Sequence, residues 1–302
     1  MAPETLGGGG APRALVWATV GAVFLLMTIG NIVSATGSGL ACPDWPLCHG
    51  RLIPPLRPDV LIEYSHRLTA ALASILIVAT SAATMRTRGT RPIGIALLAL
   101  FGLQIGLGGI TVLLRLPHLV STAHLVNALL ILGALLLLAS PTGGRRAGPA
   151  GFARLGRAGL AVLLCQLALG GYVRHAGAGL ACPDFPLCAG AVFPAHWLGM
   201  VHWTHRWLGV ALLGLFIHLA LASRGTPLRG GAGVTAALAV LQVTLGIVTV
   251  LWQLEPPVRA LHAAVGYALW GGLVWVSARA GSWNGLVAEP PEARAQAVVA
   301  HA

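Results

Sequence analysis

The sequence predicts an all-α polytopic membrane protein: eight transmembrane helices, arranged as two tandem-duplicated four-helix bundles related by a pseudo-two-fold axis along the membrane normal. Three observations predict it. Of 302 residues, 56% are hydrophobic and only 9% charged, with a mean hydropathy of +0.81, whereas an ordinary soluble domain carries roughly 25% charge. Eight apolar runs approach the roughly 20 residues that a spanning helix needs. The second half of the chain repeats the first.

The apolar runs fall near residues 14–34, 61–84, 92–114, 119–139, 157–174, 201–222, 232–253 and 259–278. The first is too long for a signal-peptide core and lacks a small-residue cleavage pattern, so it is read as a span. The spans divide the chain into a Gly-rich, disordered N-terminus (1–13), a four-helix half (14–140), an Arg- and Gly-rich linker (141–156), a second half (157–279) and a tail (280–302).

All 19 basic residues are Arg, and their positions give the orientation. One side carries Arg13, Arg86, Arg88, Arg91, Arg145, Arg146, Arg154, Arg157, Arg224, Arg229, Arg279 and Arg294. The opposite loops carry Arg51, Arg57, Arg115, Arg174 and Arg259, while Arg67 and Arg206 lie just inside spans two and six. The positive-inside rule places both termini, the linker and the tail in the cytoplasm, with the protein in the cell membrane. The net charge of +11 is dispersed over short loops without a basic stripe, so no nucleic-acid partner is expected.

The repeat is read directly. Residues 37–48 are GSGLACPDWPLC and residues 177–188 are GAGLACPDFPLC, identical at ten of twelve positions with an offset of 140. SHRL at 65–68 meets THRW at 204–207, the Gln104 run meets the Gln242 run, and His124 meets His262, with offsets of 139, 138 and 138. Four spans per half is an even number, so both halves share one orientation.

Of eleven histidines, four occupy matched places in spans two, four, six and eight: His66, His124, His205 and His262. Each is read as coming within about six residues of where its helix enters from the outer side, so all four are expected at a similar shallow depth of roughly 8–9 Å at 1.5 Å per residue. In each half, two imidazoles at one level of a four-helix bundle suit the two axial positions of a haem iron. A tetrahedral zinc or copper site lacks ligands at that level. His49, His118, His175 and His196 are read as solvated or interfacial, His218 as structural, and His301 falls in the tail.

Glu63 is the only acidic residue inside a span, three positions before His66 on the same helix face. An intramembrane carboxylate is a functional candidate by default. Arg67, one residue beyond His66, is its candidate partner, and a purely structural salt bridge at the membrane edge is the competing reading. The matching position in the second half is His202. That asymmetry suggests one reactive and one supporting site.

Cys42 and Cys48 share one outer loop, and Cys182 and Cys188 the other. In an oxidising compartment each pair is expected as a disulfide. It either rigidifies a lid or exchanges electrons during turnover. Cys165, within span five, is expected to be a small packed residue.

These residues resemble the haem A synthase family, in its eight-span bacterial form. The resemblance rests on Glu63-Tyr64-Ser65-His66-Arg67, Ala123-His124-Leu125, Thr204-His205-Arg206, Leu261-His262 and the two cysteine pairs, and it covers about residues 14–280. It implies an oxidoreductase that converts a methyl group of haem O to a formyl group through an alcohol, giving haem A for terminal respiratory oxidases. It also implies substrate haem near His66 and His124, Glu63 as the essential carboxylate, and a haem b cofactor between His205 and His262. Its partners would be haem O, membrane lipids and an electron-transfer partner of unidentified kind, with a haem O synthase and oxidase assembly factors as candidate contacts. The ligand pattern alone also permits a two-haem transmembrane electron carrier of cytochrome b type. Both haem levels would then lie on the outer side and form no chain across the bilayer, and Glu63 would have no purpose.

Overall fold

The computed structural model describes residues 11–140 and 148–281. The proposed N-terminal disorder, part of the linker and most of the tail, with Arg145, Arg146, Arg294 and His301, lie outside the described residues. Among the described residues there are eight α-helices, all long and apolar enough to cross a membrane, and no strand. The helices are α1 (Arg13–Ala35), α2 (Pro58–Met85), α3 (Arg91–Leu113), α4 (His118–Ala139), α5 (Phe152–His175), α6 (Trp197–Ala222), α7 (Arg229–Leu251) and α8 (Pro256–Arg279). A short 3-10 turn, Ala178–Leu180, follows α5. The protein is a multi-pass membrane protein.

The ends of the helices follow local chemistry. Proline stands in the first turn of α2, α3 and α8, where its missing N–H costs nothing and its fixed φ favours entry. α1 and α5 both give way to a glycine with left-handed φ, Gly37 at 73° and Gly177 at 70°. α5 begins five residues before the expected span, so the end of the expected linker is helical.

α1 to α4 close into one four-sided bundle, each helix touching the next and α4 returning to α1. α5 to α8 close in the same way. The bundles meet through α1, α4, α5 and α8. The central position of α4 and α8 shows in their burial, 56% and 50% of their apolar windows, against 17% for α3 and α6 at the periphery. Lipid tails are as apolar as leucine, so close packing and internal hydrogen bonds must hold such helices together. Trp270 on α8 illustrates both: its Nε1 donates to the Leu129 carbonyl of α4 at 2.8 Å, and its ring lies on Gly133. Thr19 and Thr80 join α1 to α2 through their hydroxyls at 2.7 Å.

Candidate functional site

Each of the four matched histidines lies against a glycine of the preceding helix. A methyl group on Gly30 of α1 would stand 2.7 Å from Cε1 of His66, and one on Gly170 of α5 would stand 2.7 Å from Cε1 of His205. Gly108 of α3 and Gly246 of α7 take His124 and His262 in the same way, at 3.2 Å. These glycines make room for a ring turned into the bundle. Valine in place of Gly30 is expected to displace the His66 ring and leave the second bundle's histidines undisturbed, which the imidazole NMR signals of the two bundles would register separately.

His66 lies eight residues past the start of α2 and His205 eight past the start of α6, whereas His124 and His262 lie six past theirs. The first two are therefore about 12 Å along their helices and the others about 9 Å. α2, α6 and α8 all begin three to four residues before the apolar spans expected from the sequence, so the depths counted from the helix starts differ from the expected common 8–9 Å. His66 and His124 lie within electrostatic reach of each other, as do His205 and His262.

The Nδ1 atoms of all four rings are buried without a hydrogen-bond partner. Buried polar atoms are normally satisfied, and a recurring exception asks for a missing ligand. Among the described residues no group of three or more His, Cys, Asp or Glu could hold a metal ion, so a protein-only tetrahedral metal site does not fit. Two neighbouring imidazoles, each with a buried Nδ1 that lacks a partner, are a donor set that could hold a haem iron. Beside them, Gln104 Nε2 lies 3.3 Å from His124 Nε2, and Gln242 Nε2 lies 3.3 Å from His262 Nε2. Asn127 in turn donates to Gln104 Oε1 at 2.6 Å.

One turn toward the cysteine loops, Glu63 is buried at 3% exposure. Its Oε1 accepts from Arg67 at 2.6 Å, and its Oε2 accepts from the Cys42 N–H at 2.6 Å. Arg67 also donates to the carbonyls of Cys42, Asp44 and Leu47. The carboxylate, the arginine and the loop thus form one clamp, and Arg67 is the partner expected from the sequence. In the second bundle Arg206 grips the carbonyls of Cys182, Asp184 and Leu187. There the Cys182 N–H lies 3.4 Å from His202 Nδ1, and Arg206 Nε lies 3.2 Å from His202 Nε2. A neutral imidazole accepts at only one nitrogen, so His202 cannot satisfy both donors as the carboxylate does.

Both cysteine pairs are disulfides, Cys42–Cys48 and Cys182–Cys188. Each closed loop carries an aspartate that folds back on it. Asp44 accepts from the N–H groups of His49 and Gly50, and Asp184 from those of Ala189 and Gly190, all at 2.6–2.7 Å. The Gly50 N–H foremost, helped by His49 and Arg67, holds the Asp44 carboxyl below the usual carboxylate range. Gly190 leads the same effect at Asp184. Because the folded value is depressed, the loop's stabilisation is present above the ordinary carboxylate value and is lost as pH falls through the lowered one. Protection of the His49 and Gly50 amides against exchange is therefore expected to hold from neutral pH to about pH 4 and to fail below it. Trp45 lies on Gly109, 3.3 Å from the position a methyl would take, beside the glycine under His124. The first loop therefore reaches α3 next to the glycine that His124 packs on.

Some expectations need correction. Cys165 is exposed on the outer face of α5 rather than packed, and His218 is likewise exposed on α6, so neither builds the core. His175, expected to be solvated or interfacial, is half-buried at the end of α5 beside Arg174 and His118. His196 has a definite task, accepting the Gly199 N–H at 3.1 Å to cap α6. Arg174 and Arg259, assigned to loops, lie within α5 and α8. No histidine contact is expected from the sequence at Gly30, Gly108, Gly170 or Gly246, although each pair is separated by the repeat offsets. An open crevice of about 390 Å³ lined by Trp17, Gly231 and Trp275 lies toward the opposite ends of α1 and α8 and offers no ligating group.

Eight membrane-crossing helices, with two pairs of buried imidazoles and two disulfide-closed loops, define a polytopic membrane protein. The chain belongs to the COX15-CtaA family, described as cytochrome oxidase assembly protein, whose model matches residues 13–60 and 56–274. It is similar to a haem A synthase of Symbiobacterium thermophilum, 33% identical over 290 residues that cover 88% of this chain and 94% of that protein. It is also similar to a haem A synthase of Geobacillus thermodenitrificans, 30% identical over 294 residues covering 87% and 90% of the two chains. A third relative, the haem A synthase of Bacillus pumilus, is 29% identical over 273 residues, 82% of this chain and 85% of its own.

Proposed function

We propose that the protein is a haem A synthase, oxidising a methyl group of haem O through the alcohol to the formyl group of haem A, which terminal respiratory oxidases use. In this reading haem O binds between His66 and His124 in the first half (14–140), and haem b binds between His205 and His262 in the second (157–279). The observation that carries it is the inequality of two otherwise matching pockets. One sets an ion-paired carboxylate, Glu63, a turn from its histidine; the other sets His202 in the same clamp. A carrier that only passes electrons needs no such difference, whereas one reacting and one supporting haem do.

The haems supply the redox chemistry, and the protein positions the substrate and manages its protons. His66 and His124 fix the substrate plane, and Gly30 and Gly108 allow their rings to turn toward it. Both oxygens of Glu63 accept hydrogen bonds, one from a guanidinium, which suits an ionised carboxylate. In that state Glu63 takes a proton from the water that attacks the methyl-derived carbon, or stabilises positive charge there. Arg67 holds the carboxylate and the loop above it together, which keeps bulk water out during each step. Each hydroxylation breaks one C–H bond of the substrate and forms one C–O bond with water: the electron pair goes to an electron-transfer partner, and two protons leave, one from the carbon and one from the attacking water. The second gives a gem-diol, which loses water to leave the aldehyde.

The Arg distribution supports termini in the cytoplasm and disulfide loops on the outer side of the cell membrane. Haem O arrives within the bilayer, and a haem O synthase and oxidase assembly factors are the expected contacts. Purified protein supplied with haem O and an artificial electron acceptor is expected to release first the alcohol and then the formyl derivative, identified by mass. Recovery of unaltered haem O under conditions where the protein binds it would refute the proposal.

A further inference from the structure

Two arginines at the contact between the bundles have no anionic partner among the described residues. Arg174 on α5 stands four residues beyond Gly170, and Arg259 on α8 stands three residues before His262. Each therefore lies on the same helix face as its pocket neighbour, one turn toward the cysteine loops. The Arg174 guanidinium donates to the side-chain oxygen and, at 3.0 Å, to the carbonyl of Asn31 on α1. Arg259 donates to the Ala35 carbonyl on the same helix. Asn31 Nδ2 closes the junction by donating to the Ala260 carbonyl at 3.0 Å. All these acceptors are neutral. The Nε of each arginine is buried with no partner at all. The two guanidiniums also lie close enough to repel each other. The ion pairs among the described residues, Arg57–Asp59 and Arg67–Glu63, are elsewhere. Desolvating cations without a counter-charge is costly, and the cost is normally offset by a bound anion.

We propose that Arg174 and Arg259 form a carboxylate cradle that binds the propionate groups of the tetrapyrrole held between His205 and His262. This inference rests on the reading that the second pocket takes a haem. The planar, five-donor guanidinium is suited to gripping a carboxylate through two hydrogen bonds, and the free Nε atoms are the unused donors. The first pocket has no such cradle. At the repeat offsets of 140 and 138, the positions matching Arg174 and Arg259 are Ser34 and Ser121. The asymmetry follows the proposed division of labour. A resident cofactor gains from charged anchors on its propionates, whereas a substrate that must leave as product after each turnover does not. Because both arginines also hold α1, loading the second pocket would firm the junction with the first bundle.

The test titrates haem-free protein in detergent with haem b and with its dimethyl ester, which has no propionate charge. A His66→Ala background confines two-imidazole ligation to the second pocket, and the Soret band of the low-spin complex reports binding. Hydrogen bonds to charged groups predict that haem b binds at least about tenfold tighter than the ester. In the Arg174→Gln/Arg259→Gln protein the two ligands should bind equally. Arg174→Lys/Arg259→Lys should restore part of the preference and guards against a folding defect in the glutamine variant. Equal binding of acid and ester to protein with both arginines overturns the proposal, and so does a preference that survives in the glutamine variant. Failure of both ligands to give a low-spin spectrum overturns the haem reading of the second pocket, and the cradle with it.

Discussion

Replacing Glu63 with Gln is expected to lower haem A formation by at least about a hundredfold, within the range that a positioned general acid–base group contributes, while both tetrapyrroles stay bound. Glutamine has nearly the same shape and can still accept from the Cys42 N–H, so the loop clamp largely survives. It cannot take a proton, and it leaves Arg67 without its counter-charge. The measurement is the ratio of haem O, alcohol and haem A in extracts, beside the Soret spectrum of the purified variant. Normal conversion would remove Glu63 from the chemistry. Accumulation of the alcohol would place the carboxylate at the second hydroxylation. Loss of haem together with activity would instead make the ion pair structural.

The second large effect separates the two pockets. Outer-shell partners of a metal ligand are commonly worth about 10–100-fold in affinity, so loss of a ligand itself should cost at least that. His262→Ala or His205→Ala should therefore strip haem b from the purified protein and leave haem O bound but unconverted. His66→Ala or His124→Ala should retain haem b with an unchanged low-spin spectrum while substrate binding falls. The two spectra, recorded with and without added haem O, check both expectations. Loss of haem b on substitution of His66, with retention on substitution of His262, would reverse the assignment of the halves.

Much of this architecture was legible in the sequence, because lipid imposes severe constraints. A span must be long and apolar, so all eight helices could be placed from composition alone, with α5 extended by a turn at its start. The same apolar background made Glu63 and the four matched histidines conspicuous. What stayed hidden depends on close approach between helices. The run 106–109 reads as small residues for packing, and only the structure separates Gly108, which faces His124, from Gly109, which faces Trp45. Arg174 and Arg259 looked like loop charges because each sits within a turn or so of a helix end, where span boundaries are uncertain. Cys165 and His218 were misjudged for a related reason. In a helix apolar on every side, periodicity does not say which face meets lipid.

The most direct test of the central claim is to extract the tetrapyrroles from protein purified from cells that make haem O and to separate them by chromatography. The account predicts haem b together with haem A or its alcohol precursor, and loss of the latter two in Glu63→Gln. Haem b alone, with haem O unchanged in the cells, would contradict it.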